Sequence, residues 1–248
     1  MKTMKYFVLL FLTISLFSCS DDDLPPCVET AWFIDADNDT LGNPDVVLMS
    51  CIQPEGYVGN NDDQDDTDPL NLAPLVAATI SNLHAPQTGG QGQGPIGGEF
   101  TKFDFASGQI TTSETDWDIA FRGTTIIVNG GEASGTNDEP TRNGNAGVYI
   151  ADGSMESITE ANGSFVSDAP GNLAITTGSG NGWYLYDGTT HLINPISGKI
   201  LVFKTRDGKY AKVKIVSYYK DLDQSNYANA RYYTFDYVYQ PNEGITTF

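Results

Sequence analysis

The chain has 248 residues, with 32 Asp and Glu against 13 Lys and Arg, two His and a formal net charge of −19. So acidic a protein repels nucleic acid. With two His and no G-x-S-x-G or H-E-x-x-H stretch, it offers little for catalysis, so a binding protein rather than an enzyme is expected. The acidity is uneven. Residues 19–72 hold 14 Asp and Glu and no Lys or Arg, whereas residues 73–248 hold 18 acidic residues against 11 Lys and Arg, a net of −7 (11 − 18).

In chain order, residues 1–18 read as a secretion signal. Lys2 and Lys5 supply the basic start, and the apolar run from Tyr6 to Phe17 is too short to span a bilayer. The run ends Leu16-Phe17-Ser18-Cys19, which resembles a bacterial lipobox with Cys19 as the acylated residue. Ser20-Asp21-Asp22-Asp23 follows and resembles the tag that exports Bacteroidetes lipoproteins to the exterior of the outer membrane. Residues 19–26 are then a lipidated acidic tether stiffened by Pro25-Pro26, and the membrane is reached through the lipid alone.

Residues 27–72 form an acidic module. Cys27 and Cys51, in an oxidising compartment, favour a disulfide over a metal pair. Asp35, Asp37 and Asp39 alternate, and a second cluster holds Asp63, Asp65, Asp66 and Asp68. Oxygen ligands at such spacing suit calcium. An EF-hand starting at Asp35 is excluded, because its sixth and twelfth positions are Thr40 and Val46 where Gly and Glu are needed. The order Trp32 through Asp39, Cys51-Ile52-Gln53-Pro54-Glu55-Gly56-Tyr57-Val58, then the second cluster, resembles a short metal-binding module of bacterial surface proteins, related in style to thrombospondin calcium repeats. It departs at Gln64, where that module has Cys. The plain alternative is an acidic linker that holds no ion.

Residues 73–248 form the main domain, long enough for one sizeable core. Val76, Ile80 and Leu83 share a helical stripe, and Gln87–Gly98 reads as a flexible loop. The rest is short aromatic and β-branched runs between Gly, Asn and Asp, which predicts an all-β, antiparallel domain with few or no helices. Asp207-Gly208 marks a hairpin between Ile200–Thr205 and Tyr210–Tyr219. A third strand, Tyr233–Tyr239, puts Tyr233, Phe235, Tyr237 and Tyr239 on one face.

Three blocks in this order, DWDIAFRG…IIVNGG from Asp116, GKILVFKTRDGKYAKVKIVSYY from Gly198 and YYTFDYVYQ from Tyr232, resemble the HmuY family over residues 75–248. That family comprises haem-binding surface lipoproteins of Bacteroidetes. The resemblance implies non-covalent haem, a haem-carrying protein as its source, and a TonB-dependent outer-membrane receptor as the recipient. Its axial ligands are His or Met pairs. Met155 and His191 fall close to the two ligand positions, and His84, beside Ala85-Pro86, is taken as structural. Against this, Met155 serves equally to cover an apolar gap and His191 to face solvent. Arg122 and Arg142 are candidate propionate partners or plain surface charges. A second reading keeps the fold without haem, as a calcium-stabilised surface binding or adhesion lipoprotein.

Overall fold

The structure, a computed structural model, describes residues 27–70, 72–90 and 92–248; the signal sequence, Cys19 and the tether lie outside these. The chain divides into two units, residues 1–71 and 72–248.

In the first unit β1 (Thr30–Ile34) is the centre of a three-stranded sheet. It pairs antiparallel with β2 (Val47–Ser50) on one side and β3 (Tyr57–Val58) on the other. Apolar burial is slight here, since Val47, Leu48, Met49 and Ile52 are all exposed. Cross-links take over the work of a core. Cys27 and Cys51 form a disulfide with a Cα–Cα distance of 5.7 Å. Gly42 packs where a Cβ would collide with Phe33 and the Asn60 carbonyl, so the chain after Asn60 folds tightly back on the loop after β1.

The second unit opens with β4 (Val76–His84), β5 (Thr101–Asp104) and β6 (Gln109–Thr111). Next come β7 (Ile119–Arg122), β8 (Thr125–Val128) and β9 (Gly147–Asp152). The short β10 (Tyr184–Tyr186) and β11 (Ile193–Pro195) precede β12 (Lys199–Lys204), β13 (Tyr210–Tyr219) and β14 (Ala230–Gln240). Two single 3-10 turns, Lys220–Leu222 and Tyr227–Asn229, are the helical elements among the described residues. A five-stranded antiparallel sheet runs β4-β14-β13-β12-β9, a four-stranded sheet runs β6-β5-β7-β8, and β10-β11 is a hairpin of its own.

The two larger sheets pack face to face. Tyr233, Phe235, Tyr237 and Tyr239 all point into the core, as the period of two requires. Phe103 meets the edges of Phe235 and Tyr237 at ring-centroid distances of 5.4 and 5.8 Å. Such edge contacts add to the burial of the rings themselves. The opposite face of the five-stranded sheet is covered in part by residues 155–165 and by Phe248, which close over Ile200 and Val202.

The stripe of Val76, Ile80 and Leu83 is a strand, not a helix. Leu83 pairs with Tyr233 and Ile80 with Phe235, so three steps on β4 oppose two on β14. Asn82 takes φ +59° at this bulge. The extra residue brings Ile80 and Leu83 to the same face, which mimics a helical spacing. Arg122 and Arg142 are not free surface charges, since both guanidinium groups are engaged within the protein. The Arg122 guanidinium lies over Phe100 and donates to Gly98 O, Asn137 O and Thr136 Oγ1. Arg142 is paired with Glu139 at 2.6 Å and Asp168 at 2.8 Å, all with side chains 4 % exposed or less.

Glu139 sits at the head of this ion cluster. Desolvation pushes its carboxyl up, but hydrogen bonds from the hydroxyls and backbone N–H groups of Ser134 and Thr136 outweigh it and hold the pKa at about 2. A depressed carboxylate contributes stability above its unfolded pKa, and that contribution is lost as pH falls through its folded value. Between pH 4.5 and 2 the wild type should therefore lose more stability than Glu139→Gln, measured by urea unfolding at stepped pH. Equal losses would show that Glu139 does not carry the acid limb.

Candidate functional site

The candidate ligand His191 sits in the loop 187–192 that joins β10 to β11, at the register Tyr186 opposite Ile193. The sequence fixes this loop locally. Asp187 Oδ1 accepts the N–H of Thr189 at 2.8 Å, Oδ2 accepts the Thr190 hydroxyl at 2.8 Å, and Asp187 N–H donates to Leu192 O. Donation from the Thr189 backbone, with the Thr190 bonds, holds the Asp187 carboxyl below the usual range. His191 takes φ +57°, a left-handed conformation uncommon outside glycine. The hairpin is tied to the large sheet by Ile193 N–H donating to Tyr219 Oη at 2.9 Å. Trp183, just before β10, donates from Nε1 to Thr124 O and packs against Tyr184, Tyr218 and Tyr233.

The imidazole itself is exposed, and its Nδ1 is 2.6 Å from Tyr186 Oη. Beside it Tyr186 is half exposed and Tyr227 more so, with Tyr227 Oη reaching Thr190 O, while Asp187, Thr189 and Thr190 make the loop itself polar. An exposed imidazole held at one nitrogen by a phenol is a group of the kind that can ligate iron through its other nitrogen. Sequence reasoning offered Tyr186 as a pocket wall and missed its contact with His191. The Asp187-Gly188 pair between Tyr186 and His191 was the available signal, since Asp-Gly favours a tight hairpin that brings its flanks together.

Met155 is placed elsewhere. Its carbonyl accepts from the buried Lys212 Nζ at 2.6 Å, and burial lowers the pKa of that lysine. The Met155 side chain lines an open cavity of about 620 Å³, with Thr79, Lys199, Lys214, Asp236 and Ile196 among the walls. His191 is not among the residues that line that cavity. His84 stacks on Tyr232 at 4.5 Å, a packing role at the end of β4.

In the first unit the carboxylates converge. Asp35, Asp37 and Asp66 form one group and Asp37, Asp39 and Asp63 another, with oxygens within 4.8 Å of one another in each. Asp66 Oδ1 accepts Ala36 N–H, which clips the second cluster onto the first. Asp63 is wholly buried, and Asp35 Oδ1, Asp37 Oδ2 and Asp63 Oδ2 are buried oxygens with no hydrogen-bond partner. Desolvation, with Asp39, Asp63 and Asp66 adding repulsion, raises the Asp37 carboxyl. Asp65 and Asp68 stand outside both groups. Asp65 Oδ1 accepts from Thr67, and Asp68 Oδ1 from Leu70 N–H.

The HmuY protein family matches residues 98–237, more than half of the chain. No curated protein matches. Among solved structures, the chain is similar to an apo HmuY analog of Tannerella forsythia at 13% identity, covering 69% of this chain and 99% of that one, with a TM-score of 0.43. A candidate HmuY-like haem-binding protein of Bacteroides vulgatus is 15% identical, over 68% and 93%, with a TM-score of 0.39. A candidate lipoprotein of Bacteroides fragilis is 17% identical, over 68% and 90%, with the same score.

Proposed function

The chain belongs to the HmuY family, and on that premise we propose that it is a surface lipoprotein that binds haem without a covalent link and passes it to a TonB-dependent transporter of the outer membrane. The observation that carries the reading is His191: an exposed imidazole, held through Nδ1 by Tyr186, on an anchored hairpin. Bound haem would supply an iron that takes the imidazole Nε2. The protein's own residues do the rest. Asp187 fixes the loop, Tyr186 fixes the ring, and the exposed Tyr186 and Tyr227 rings would offer aromatic surface to the porphyrin. Acylation at Cys19 would keep this surface at the membrane, close to a receptor. The protein is read as a carrier and not as an enzyme.

Haemin titrated into the full chain should give a saturable Soret shift, and His191→Ala should lose it. Met155→Ala should retain it, because Met155 lines a cavity whose walls do not include His191. A wild-type chain with no Soret shift would remove the haem reading and leave a surface binding or adhesion protein of the same fold.

The acidic unit supports a second reading, that it holds a calcium ion. Three buried carboxylate oxygens without partners are costly unless a cation meets them. The donors are all oxygens, which suits calcium, with Asp35, Asp37, Asp39, Asp63 and Asp66 the residues that would hold it. Its role would be structural, ordering a unit whose apolar residues are largely exposed.

A further inference from the structure

Tyr186 Oη and His191 Nδ1 are 2.6 Å apart across a loop of fixed geometry. The pair is not a by-product of core packing, because both side chains are exposed. Two features specify it. Asp187 closes the loop with three hydrogen bonds, and His191 adopts φ +57°, which turns its ring back toward Tyr186. A left-handed backbone at a non-glycine residue persists only where its surroundings over-determine it.

We infer that Tyr186 is the positioning residue of the haem ligand: its hydroxyl accepts the Nδ1 proton of His191, and so presents the Nε2 lone pair to iron. The inference rests on the haem reading above and deepens it. An imidazole that ligates through Nε2 must carry its one proton on Nδ1. In the other neutral tautomer the Tyr186 hydroxyl donates to Nδ1 instead. With iron at Nε2 the one imidazole proton would sit on Nδ1, where the Tyr186 hydroxyl would accept it, and the neutral ring would gain or lose no proton. An acceptor on Nδ1 both orients the ring and makes it a stronger donor, as partners of metal-bound histidines do. The stronger donor favours ferric over ferrous iron, so Tyr186 acts on the oxidation state held as well as on affinity.

The test uses haemin and the full chain as wild type, Tyr186→Phe, His191→Ala and the double variant. Tyr186→Phe keeps the exposed ring and removes only the hydroxyl. It should weaken ferric binding about tenfold and ferrous binding less. A tenfold loss confined to the ferric state raises the midpoint potential by about 59 mV. In the His191→Ala background, Tyr186→Phe should have no further effect, because Tyr186 acts through that ring. Equal losses in both oxidation states with an unchanged potential, or a loss that persists without His191, would mean a merely structural hydroxyl and overturn the inference. Haemin bound by wild type and by Tyr186→Phe alike overturns this inference alone. No Soret shift in the wild type overturns it together with the haem reading.

Discussion

Asp168→Ala should lower the stability of the chain by roughly 3–5 kcal/mol, the largest loss expected of any single polar replacement here. Asp168 is 2 % exposed, and both its carboxylate oxygens are in use. Oδ2 accepts Val128 N–H at 3.0 Å and Arg142 Nη2 at 2.8 Å, and Oδ1 accepts Ala174 N–H at 2.8 Å. Truncation strands two backbone donors and leaves the buried Arg142 cation with Glu139 as its remaining carboxylate. Each buried donor without a partner costs about 1–3 kcal/mol, and the uncompensated cation adds to that. Since a domain of this kind is stable by about 5–15 kcal/mol in all, the variant should approach the folding threshold. Urea unfolding should show the midpoint fall with little change in slope, and limited proteolysis should cut first in residues 132–143. A loss below about 1 kcal/mol would mean that water replaces the carboxylate.

Calcium should stabilise the acidic unit by about 2.7 kcal/mol at a hundredfold excess over Kd, if it binds only the folded form. The effect is expected because folding alone leaves Asp35 Oδ1, Asp37 Oδ2 and Asp63 Oδ2 buried and unpaired. In the full chain, calcium should protect residues 27–70 from protease, and a chelator should remove the protection. Asp63→Asn should abolish the response, because this residue is the one carboxylate of the two groups that is fully buried. Asp68→Asn, outside both groups, should keep it. Calorimetry without binding heat at millimolar calcium, together with unchanged protection, would leave the unit an acidic linker held by Cys27–Cys51.

What was legible in the sequence was whatever depends on local pattern. Asp207-Gly208 announced the turn between β12 and β13, and the alternation of Tyr233, Phe235, Tyr237 and Tyr239 gave the buried face of β14. The spacing of Asp35, Asp37 and Asp39 marked a carboxylate cluster. What failed depended on the partner across the sheet. Ile80 and Leu83 looked helical because their spacing is set by a bulge at Asn82, and a bulge is specified by the pairing with β14. Arg122 and Arg142 read as propionate partners or surface charges because the carbonyl of Asn137 and the carboxylate of Asp168 that engage them lie 15 and 26 residues away. Met155 and His191 stand apart from these: they are paired through the family resemblance and the scarcity of other His and Met, and Met155 lines a cavity whose walls do not include His191.

Trp183 has an optical consequence. Its indole is buried beside Tyr184, Tyr218 and Tyr233, with ring centroids 5.0, 5.8 and 5.1 Å away, and it lies three residues before Tyr186. Light absorbed by those phenols will pass to the indole by resonance transfer, so its glow reports a shell of rings as well as itself. Indole emission overlaps porphyrin absorption, and a chromophore seated on the hairpin will darken it. Trp32 belongs to the acidic unit and Trp117 lies in a separate cluster with Phe100 and Ile127. With those two replaced by Phe, the fluorescence of a single residue would become a built-in gauge of what the hairpin carries.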